Sequence, residues 1–432
     1  MPTPSLPTLP PDSSSLSLKF GPETANYFSG NPLNRLSFLR DDHQFLDAAF
    51  QHPSARFLLL RCLLQDARNN LSSLAPLVYA NATDRLAFAS REDVVPLVGE
   101  APLAKSEEES VKDYDSREEQ VVVVFLGVNE RGAVGGGGIE GADADKTAGS
   151  EGDVFQYKEF RGVPYFAIDV TPRGKKAAVA EELIEKLKER GLVFYEHSPR
   201  HMSLEAEEAA MYGHARALLD WNLRTPFCAQ CGQPTLSVHG GAKRVCPPTD
   251  KAGPRRDCAS RGTVSNHSFP RTDPTIIVAV LNADGTKVLL GRQRRWPKDW
   301  YSTLAGFQEP GESIEEAVRR EVWEESGVRV GRVVLHSSQP WPFPASLMIG
   351  AVAQALPGDG EKIYLGHDAE LESAKWFPLE EVREALVRGT SGLGEGPPKD
   401  YVPGSLRLPP QTAIANRLIT AVVEGWWLPS KM

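Results

Sequence analysis

Residues 306–328 read Gly-Phe-Gln-Glu-Pro-Gly-Glu-Ser-Ile-Glu-Glu-Ala-Val-Arg-Arg-Glu-Val-Trp-Glu-Glu-Ser-Gly-Val, a glycine turn followed by one short helix dense in carboxylates. Glu321 and Glu325 stand four residues apart with Glu324 three residues after the first, so all three project from nearly the same helical face. Like charges so placed repel one another unless a cation lies between them. A solvated acidic helix is the plain alternative, since most charge runs simply face water.

The fixed positions Gly306, Glu312, Arg320, Glu321, Val322, Glu324, Glu325, Gly327 and Val328 follow the order and spacing of the Nudix box, and the stretch resembles it throughout. That resemblance implies hydrolysis of a diphosphate joined to some other group. A second motif, Ser338-Gln-Pro-Trp-Pro-Phe-Pro-Ala-Ser346, begins shortly after the box and resembles the SQPWPFPxS signature of the NADH pyrophosphatase subfamily, in its zinc-ribbon-containing, peroxisomal eukaryotic form. Its prolines fix φ and remove N–H donors, so Trp341 and Phe343 are expected on a stiff extended backbone suited to a flat ligand. The same residues would also serve as a loop packed on its own core.

The resemblance covers about residues 210 to 428 closely and the amino-terminal half loosely. It implies an α/β fold, a Nudix α/β/α sandwich preceded by a zinc ribbon and an amino-terminal α/β domain. A diphosphate repels a water nucleophile and needs hard cations with oxygen ligands, so Mg²⁺ or Mn²⁺ is expected at Glu321 and Glu325. Glu324 either ligates a further ion or takes the proton of the attacking water, the choice of base between Glu324 and Glu325 staying open. Glu312 and Arg320 are expected to form a supporting ion pair. By family correspondence, the carbonyl of Ala305 and the carboxylate of Glu370 add metal ligands, with Glu372 the substitute for Glu370. Phe269 and Phe307 correspond to positions beside the nicotinamide, while Ile277, Gln339, Trp341, Ser346 and Ala415 complete the substrate pocket.

Four of the five cysteines cluster as Cys228-Ala-Gln-Cys231, Cys246 and Cys258. A CxxC knuckle with a glycine after it grips Zn²⁺, and clustered thiols point to metal more than to a disulfide framework. The last two cysteines are far apart for a ribbon, so residues 247–257 must loop out; His239 is an alternative ligand, and a metal-free knuckle or a reactive thiol pair are the competing possibilities. Cys62, within an apolar run, is expected to be a buried small hydrophobe.

At 432 residues the chain exceeds one ordinary core. The expected division is a disordered leader over 1–20, an α/β domain over 21–225 with mobile insertions near 105–119 and 132–153, a zinc ribbon over 226–265, and the Nudix domain over 266–432. Both insertions lack the hydrophobicity that offsets ordering entropy. Residues 121–128 and 165–170 read as strands, 179–187 and 205–221 as helices, and Asn282-Ala-Asp-Gly285 as a hairpin turn; no tandem repeat is visible. A formal charge of −9 argues against wholesale nucleic-acid binding, and no apolar run approaches the roughly 20 residues of a membrane helix, so a soluble protein with no membrane association is expected.

The expected activity is cleavage of NADH, with NAD⁺ a comparable or poorer substrate, by a homodimer. Removal of NAD caps from RNA is the second possibility, favoured by Lys243, Arg244, Lys251, Arg255, Arg256 and Arg261 in the ribbon. A catalytically silent binding module is the third. The terminal Ser430-Lys431-Met432 is close to the Ser-Lys-Leu address, so a peroxisomal import receptor is an expected partner, with the cytoplasm as the alternative location.

Overall fold

In the computed structural model the described residues are 4–8, 14, 17, 23–63, 74–131, 154–195, 202–261, 268–368 and 370–426. The insertion at 132–153, most of the leader and the carboxyl-terminal tripeptide lie outside them. Of the leader, Leu6 packs on the amino-terminal core and the Ser5 hydroxyl donates to Glu205 (2.9 Å), so residues 4–8 are attached and not free as expected.

The amino-terminal strands are β1 (Arg56–Cys62), β2 (Leu74–Tyr79), β3 (Ala82–Leu86), β4 (Val123–Asn129), β5 (Phe155–Tyr157), β6 (Phe160–Asp169) and β7 (Leu192–Phe194). They form one sheet ordered β3-β2-β1-β6-β4, with β5 beside β6 and β7 beside β2; β1 and β6 run parallel and the other pairs antiparallel. Helices α1 (His43–Gln51), α2 (Arg91–Val98) and α4 (Ala177–Glu189) cover one face, and α5 (Ala206–Arg224) the other; α3 (Glu107–Lys112) lies to the side. Cys62 is half-buried against the second of these cores.

A two-stranded ribbon, β8 (Leu236–Val238) with β9 (Lys243–Val245), leads into the second sheet. That sheet contains β10 (Asp273–Leu281), β11 (Lys287–Gln293), β12 (Leu304–Phe307), β13 (Val330–Trp341), β14 (Ser346–Ala355) and β15 (Leu371–Pro378), ordered β13-β14-β10-β11-β15 with β12 beside β10. Helix α6 (Ile314–Ser326) packs on one face through Ala317, Val318 and Val322. Helices α7 (Leu379–Arg388) and α8 (Ile414–Val423) pack on the other through Val382, Ala385, Leu418 and Ile419, completing the α/β/α sandwich.

The two sheets share their wiring. In each, an antiparallel pair (β1–β2, β10–β11) is joined by a later strand parallel to its first member (β6, β14), which is flanked in turn by an antiparallel neighbour (β4, β13). A repeat absent from the sequence is thus present in the topology, because backbone pairing repeats where side chains do not. The helix at the place of α6 in the first unit is α2. It is eight residues long, contains Pro96, and uses Asp93 to cap Ser90 and pair with Arg190, so it offers no carboxylate cluster.

The acidic segment near 105–119 departs from expectation. Ser106 and Glu109 form a capping box that starts α3, and Val111 and Tyr114 pack on Leu236, Val238 and Val245 of the ribbon. Glu107 accepts from the buried Lys243 (2.7 Å) and lies 2.7 Å from His239 Nε2; Asp113 pairs with Lys251 (3.1 Å); and Asp250 accepts from the Ser116 N–H (3.0 Å). Its own composition is too polar for order. Its apolar and cationic partners come from the ribbon, far along the chain, where a local composition argument cannot see them.

Candidate active site

Local signals set α6 in place. Ser313 caps its first turn in a box with Glu316, and Gly327, with φ of 73°, closes it in the left-handed conformation that glycine tolerates. The apolar stripe fixes the roll of the helix, so the carboxylates cannot rotate away from β12. Gly306 on β12 lies against them so closely that a Cβ there would overlap the Glu321 carboxylate. Any larger residue would push strand and helix apart.

Arg320 ties the helix to the preceding turn. Its guanidinium grips Glu312 through Nε (2.6 Å) and Nη2 (2.9 Å), donates to the Phe307 carbonyl (2.9 Å), and reaches Glu321 (2.8 Å) and Glu324 (3.0 Å) through Nη1. These bonds to Arg320, with the Glu309 N–H, hold the Glu312 carboxyl down at about 2. The expected pair of Glu312 and Arg320 is therefore present, as the centre of a larger network.

Glu325 is the outlier. It is 4% exposed, and among the described residues nothing hydrogen-bonds to its Oε2. Burial, and then the charges of Glu370, Glu321, Asp368 and Glu324, push its carboxyl up to about 9. Burial also raises Glu321, against the pull of Arg320. An orphaned, buried carboxylate oxygen on a side chain that feels the charges of four further carboxylates fits a hard divalent cation, which would favour the ionised forms that burial now opposes. Glu370 lines the same cleft and accepts from Gln293 Nε2 (2.6 Å), whereas Glu372 is paired with Arg292. A β-bulge between Arg292 and Gln293 separates these two partners.

The cleft measures about 290 Å³ and is open to solvent. Glu325, Glu370 and Ala305 line it together with Ile277, Trp341, Gln339 and Ala415. Strand register explains part of this, since Ile277 on β10 lies opposite Ala305 on β12. Glu312, Arg320, Glu321 and Glu324 do not line it. Phe269 and Phe307 are both 60% exposed and do not line it, and neither does Ser346, which is buried in the β14 pairing with Trp341. Gln339 is fully buried: its amide donates to the carbonyls of Tyr27 (3.0 Å) and Thr412 (2.8 Å) and accepts from the Ile414 N–H (2.9 Å). Both its donors are taken, so it shapes the wall instead of offering a free amide. The expected stiff loop is in fact the β13–β14 turn, and of its two rings only Trp341 lines the cleft.

Trp296, Trp300 and Met202 are among the wall residues that had no place in the expected site. Trp296 and Trp300 stack edge to face (4.9 Å), a signal readable as paired tryptophans in the loop after β11. Met202 enters from the amino-terminal unit, and no sequence signal marks it. A larger cleft of about 530 Å³ between that unit and the ribbon is lined by Asp169, Glu118 and Glu119, each engaged elsewhere: Asp169 by Thr171 and Arg173, Glu118 by the Lys175 ammonium and Glu119 by the Lys175 N–H.

In the ribbon, the sulfurs of Cys228, Cys231, Cys246 and Cys258 all lie within 4.8 Å of one another, with Cys228–Cys258 at 3.8 Å and Cys231–Cys246 at 3.6 Å. Four ligands about 2.3 Å from Zn²⁺ in a tetrahedron give sulfur–sulfur edges of about 3.8 Å. Arg261 and Arg255 donate to Cys246 Sγ (3.3 and 3.5 Å), which compensates thiolate charge. His239 is held by Glu107 instead of joining the cluster.

Residues 271–393 match the NUDIX domain, residues 70–221 the NADH pyrophosphatase-like rudimentary NUDIX domain, and residues 223–252 the NADH pyrophosphatase zinc ribbon domain. The chain belongs to the Nudix hydrolase family. The human NAD-capped RNA hydrolase NUDT12 is 35% identical across 92% of this chain and 73% of its own length. The Schizosaccharomyces pombe NAD-capped RNA hydrolase is 32% identical across 94% of this chain and 95% of its own. The human mitochondrial NAD(P)H pyrophosphatase NUDT13 is 40% identical over 51% of this chain and 56% of its own. The chain is thus a metal-dependent Nudix hydrolase of the NADH pyrophosphatase type with a zinc ribbon, and the rudimentary NUDIX match accounts for the shared wiring of the two sheets.

Two expectations follow. In metal-free protein, Glu325 keeps its proton when folded but releases it when unfolded between its ordinary value of 4.5 and about 9, so stability falls as pH rises through that window. Mg²⁺ or Mn²⁺ should therefore raise the melting temperature more at pH 8 than at pH 6. Glu325→Gln should flatten both trends and cut kcat by orders of magnitude; an unchanged pH trend in this variant would refute the assignment. Metal analysis of protein purified without added zinc should find about one zinc per chain, and Cys228→Ser should lower thermal stability. Stable, zinc-free wild-type protein would contradict the ribbon.

Proposed function

We propose that this enzyme hydrolyses the diphosphate of NADH, and of NAD⁺ comparably or less well, to reduced nicotinamide mononucleotide and AMP. The observation that carries this is the sharing of one cleft by Trp341, from the nicotinamide signature, and by Glu325 and Glu370. A flat aromatic wall beside a carboxylate cluster suits a ligand with a ring at one end and a diphosphate next to it.

Glu325, Glu321 and Glu370, with the Ala305 carbonyl, would hold Mg²⁺ or Mn²⁺, which would neutralise diphosphate charge and lower the pKa of the attacking water. Glu324 or Glu325 takes that water's proton as its oxygen bonds to phosphorus and the bridging P–O bond breaks. Glu324 is braced by Arg320, and Glu325 faces the cleft. Arg320 and Glu312 position this helix and touch no substrate in the proposed arrangement. Ile277, Ala415 and Trp341 form the substrate wall, while Phe269, Phe307 and Ser346 lie outside it.

Cap removal from NAD-capped RNA by the same bond cleavage is the second reading, favoured by the names of NUDT12 and the fission yeast relative. The ribbon's cations give it little help. Lys243 is paired with Glu107, Lys251 with Asp113 and Arg255 with Asp250; Arg244 bonds Thr235 and Asn222, and Arg261 the Arg256 carbonyl.

Incubation with NADH and Mg²⁺ should release AMP, and Trp341→Ala should lower kcat/KM for NADH roughly tenfold, the loss of about 1.4 kcal/mol of ring contact. ADP-ribose, which lacks the ring, should be cleaved nearly as before. Parallel loss on both substrates would remove the nicotinamide assignment.

Peroxisomal delivery through an import receptor and a homodimeric state belong to the same proposal. The first rests on Ser430-Lys431-Met432, and relatives differ in stated compartment, one chloroplastic and one mitochondrial. A fluorescent protein bearing the last dozen residues should become punctate with a peroxisomal marker, and loss of the tripeptide should leave it diffuse.

A further inference from the structure

The turn that carries Trp341 is built from β13 and β14, yet much of its support comes from the amino-terminal unit. Asn26, 1% exposed, donates through Nδ2 to Ser337 Oγ (3.0 Å) and to the Ser338 carbonyl (2.9 Å). The Tyr27 carbonyl receives the buried amide of Gln339. Phe28 has φ of 69°, a conformation rare for a bulky residue, and meets Trp341 (6.4 Å) and Phe343 (5.9 Å) edge to face. Arg216, in the middle of α5 and fully buried, donates to the Pro342 carbonyl and lies over the Phe343 ring (4.7 Å). Gly213, one turn before Arg216, brings the helix to within van der Waals reach of Pro342.

These contacts bear on Ser337, Ser338, Gln339, Trp341, Pro342 and Phe343, the end of β13 and the start of the turn that follows it. The segment pairs with β14 as far as Trp341↔Ser346, but Pro340, Pro342 and Pro344 contribute no N–H donors to its anchoring. Asn26 and Arg216 supply what it lacks: donors directed at its carbonyls and hydroxyls. Phe343, one of the two rings offered by the signature, is directed into this junction and serves as an anchor, which leaves Trp341 as the ring in the cleft.

We propose that Asn26 and Arg216 are specificity-positioning residues: the amino-terminal unit holds the Trp341 turn at the spacing from Glu325 that a dinucleotide requires. Neither residue touches the reacting atoms. The proposal rests on the nicotinamide role of Trp341 given above, and it assigns the amino-terminal unit a task in substrate selection.

The test compares wild type, Asn26→Ala, Arg216→Met, Arg216→Lys and Trp341→Ala on NADH and ADP-ribose with the same metal, alongside amide hydrogen exchange over residues 337–347. Asn26→Ala and Arg216→Met should lower NADH kcat/KM roughly tenfold, mainly through KM, with ADP-ribose changed less than about twofold. Exchange in the turn should quicken, and Arg216→Lys, which keeps the cation over Phe343, should recover part of the loss. If Arg216→Met does not fold, Asn26→Ala decides, since its lost bonds go only to the turn. Folded variants that leave NADH unchanged, or that depress both substrates equally while Trp341→Ala stays selective, overturn the positioning role and leave the nicotinamide reading intact. A Trp341→Ala variant without selectivity overturns both.

Discussion

A carboxylate buried among other carboxylates is the constraint around which the catalytic half is arranged. Among the described residues Glu325 has no hydrogen-bond partner on Oε2, and burial together with the charges of Glu370, Glu321, Asp368 and Glu324 makes it hold its proton well above the ordinary carboxylate range without a cation. The fold does not relieve this repulsion internally. Arg320, the nearest cation in the network, is directed at Glu312, Glu321 and Glu324 and leaves Glu325 to the cleft. One part of the cluster is thus fixed in geometry while the other is left in need of charge, which is what a site that binds and releases divalent ions with its substrate requires.

That arrangement depends on close approach. Gly306 permits β12 to lie against Glu321, Gly327 ends the helix where β13 must begin, and the apolar stripe of α6 forbids the helix to roll. The rudimentary unit keeps the strand pairing and loses the chemistry, because α2 is short, contains a proline, and directs its acids to caps and a surface pair. A duplicated fold without a site retains its surface, and here part of that surface backs the Trp341 turn.

The legibility of the sequence follows from how local each cause is. The box helix, the knuckle and the hairpin at Asn282 depend on residues within a few positions of one another, and they lie in the structure where spacing placed them. The acidic segment failed this test because its partners, Lys243, Lys251 and the ribbon's valines, are remote in sequence. The signature marks Gln339 as a ligand contact, but its burial and three bonds depend on Tyr27, Thr412 and the start of α8, which no motif records. Cys258 joined the cluster despite an irregular interval, since Arg255 within the intervening loop bonds the Pro247 carbonyl and draws the loop closed.

The same locality separates chemistry from selection in this enzyme. Everything needed to polarise a diphosphate is encoded in one helix, one strand end and one turn, a set that any Nudix fold can carry. The cleft walls that distinguish one diphosphate from another draw on Met202 from the first unit, on Trp296 and Trp300 from a loop, and on Trp341 from a turn braced across the domain boundary. In the proposed arrangement, altering such supports would shift selectivity and leave the carboxylate cluster untouched, whereas altering the box would lower turnover on every substrate. A two-unit architecture therefore lets the catalytic helix stay constant while the position of a single ring is set from outside its own domain.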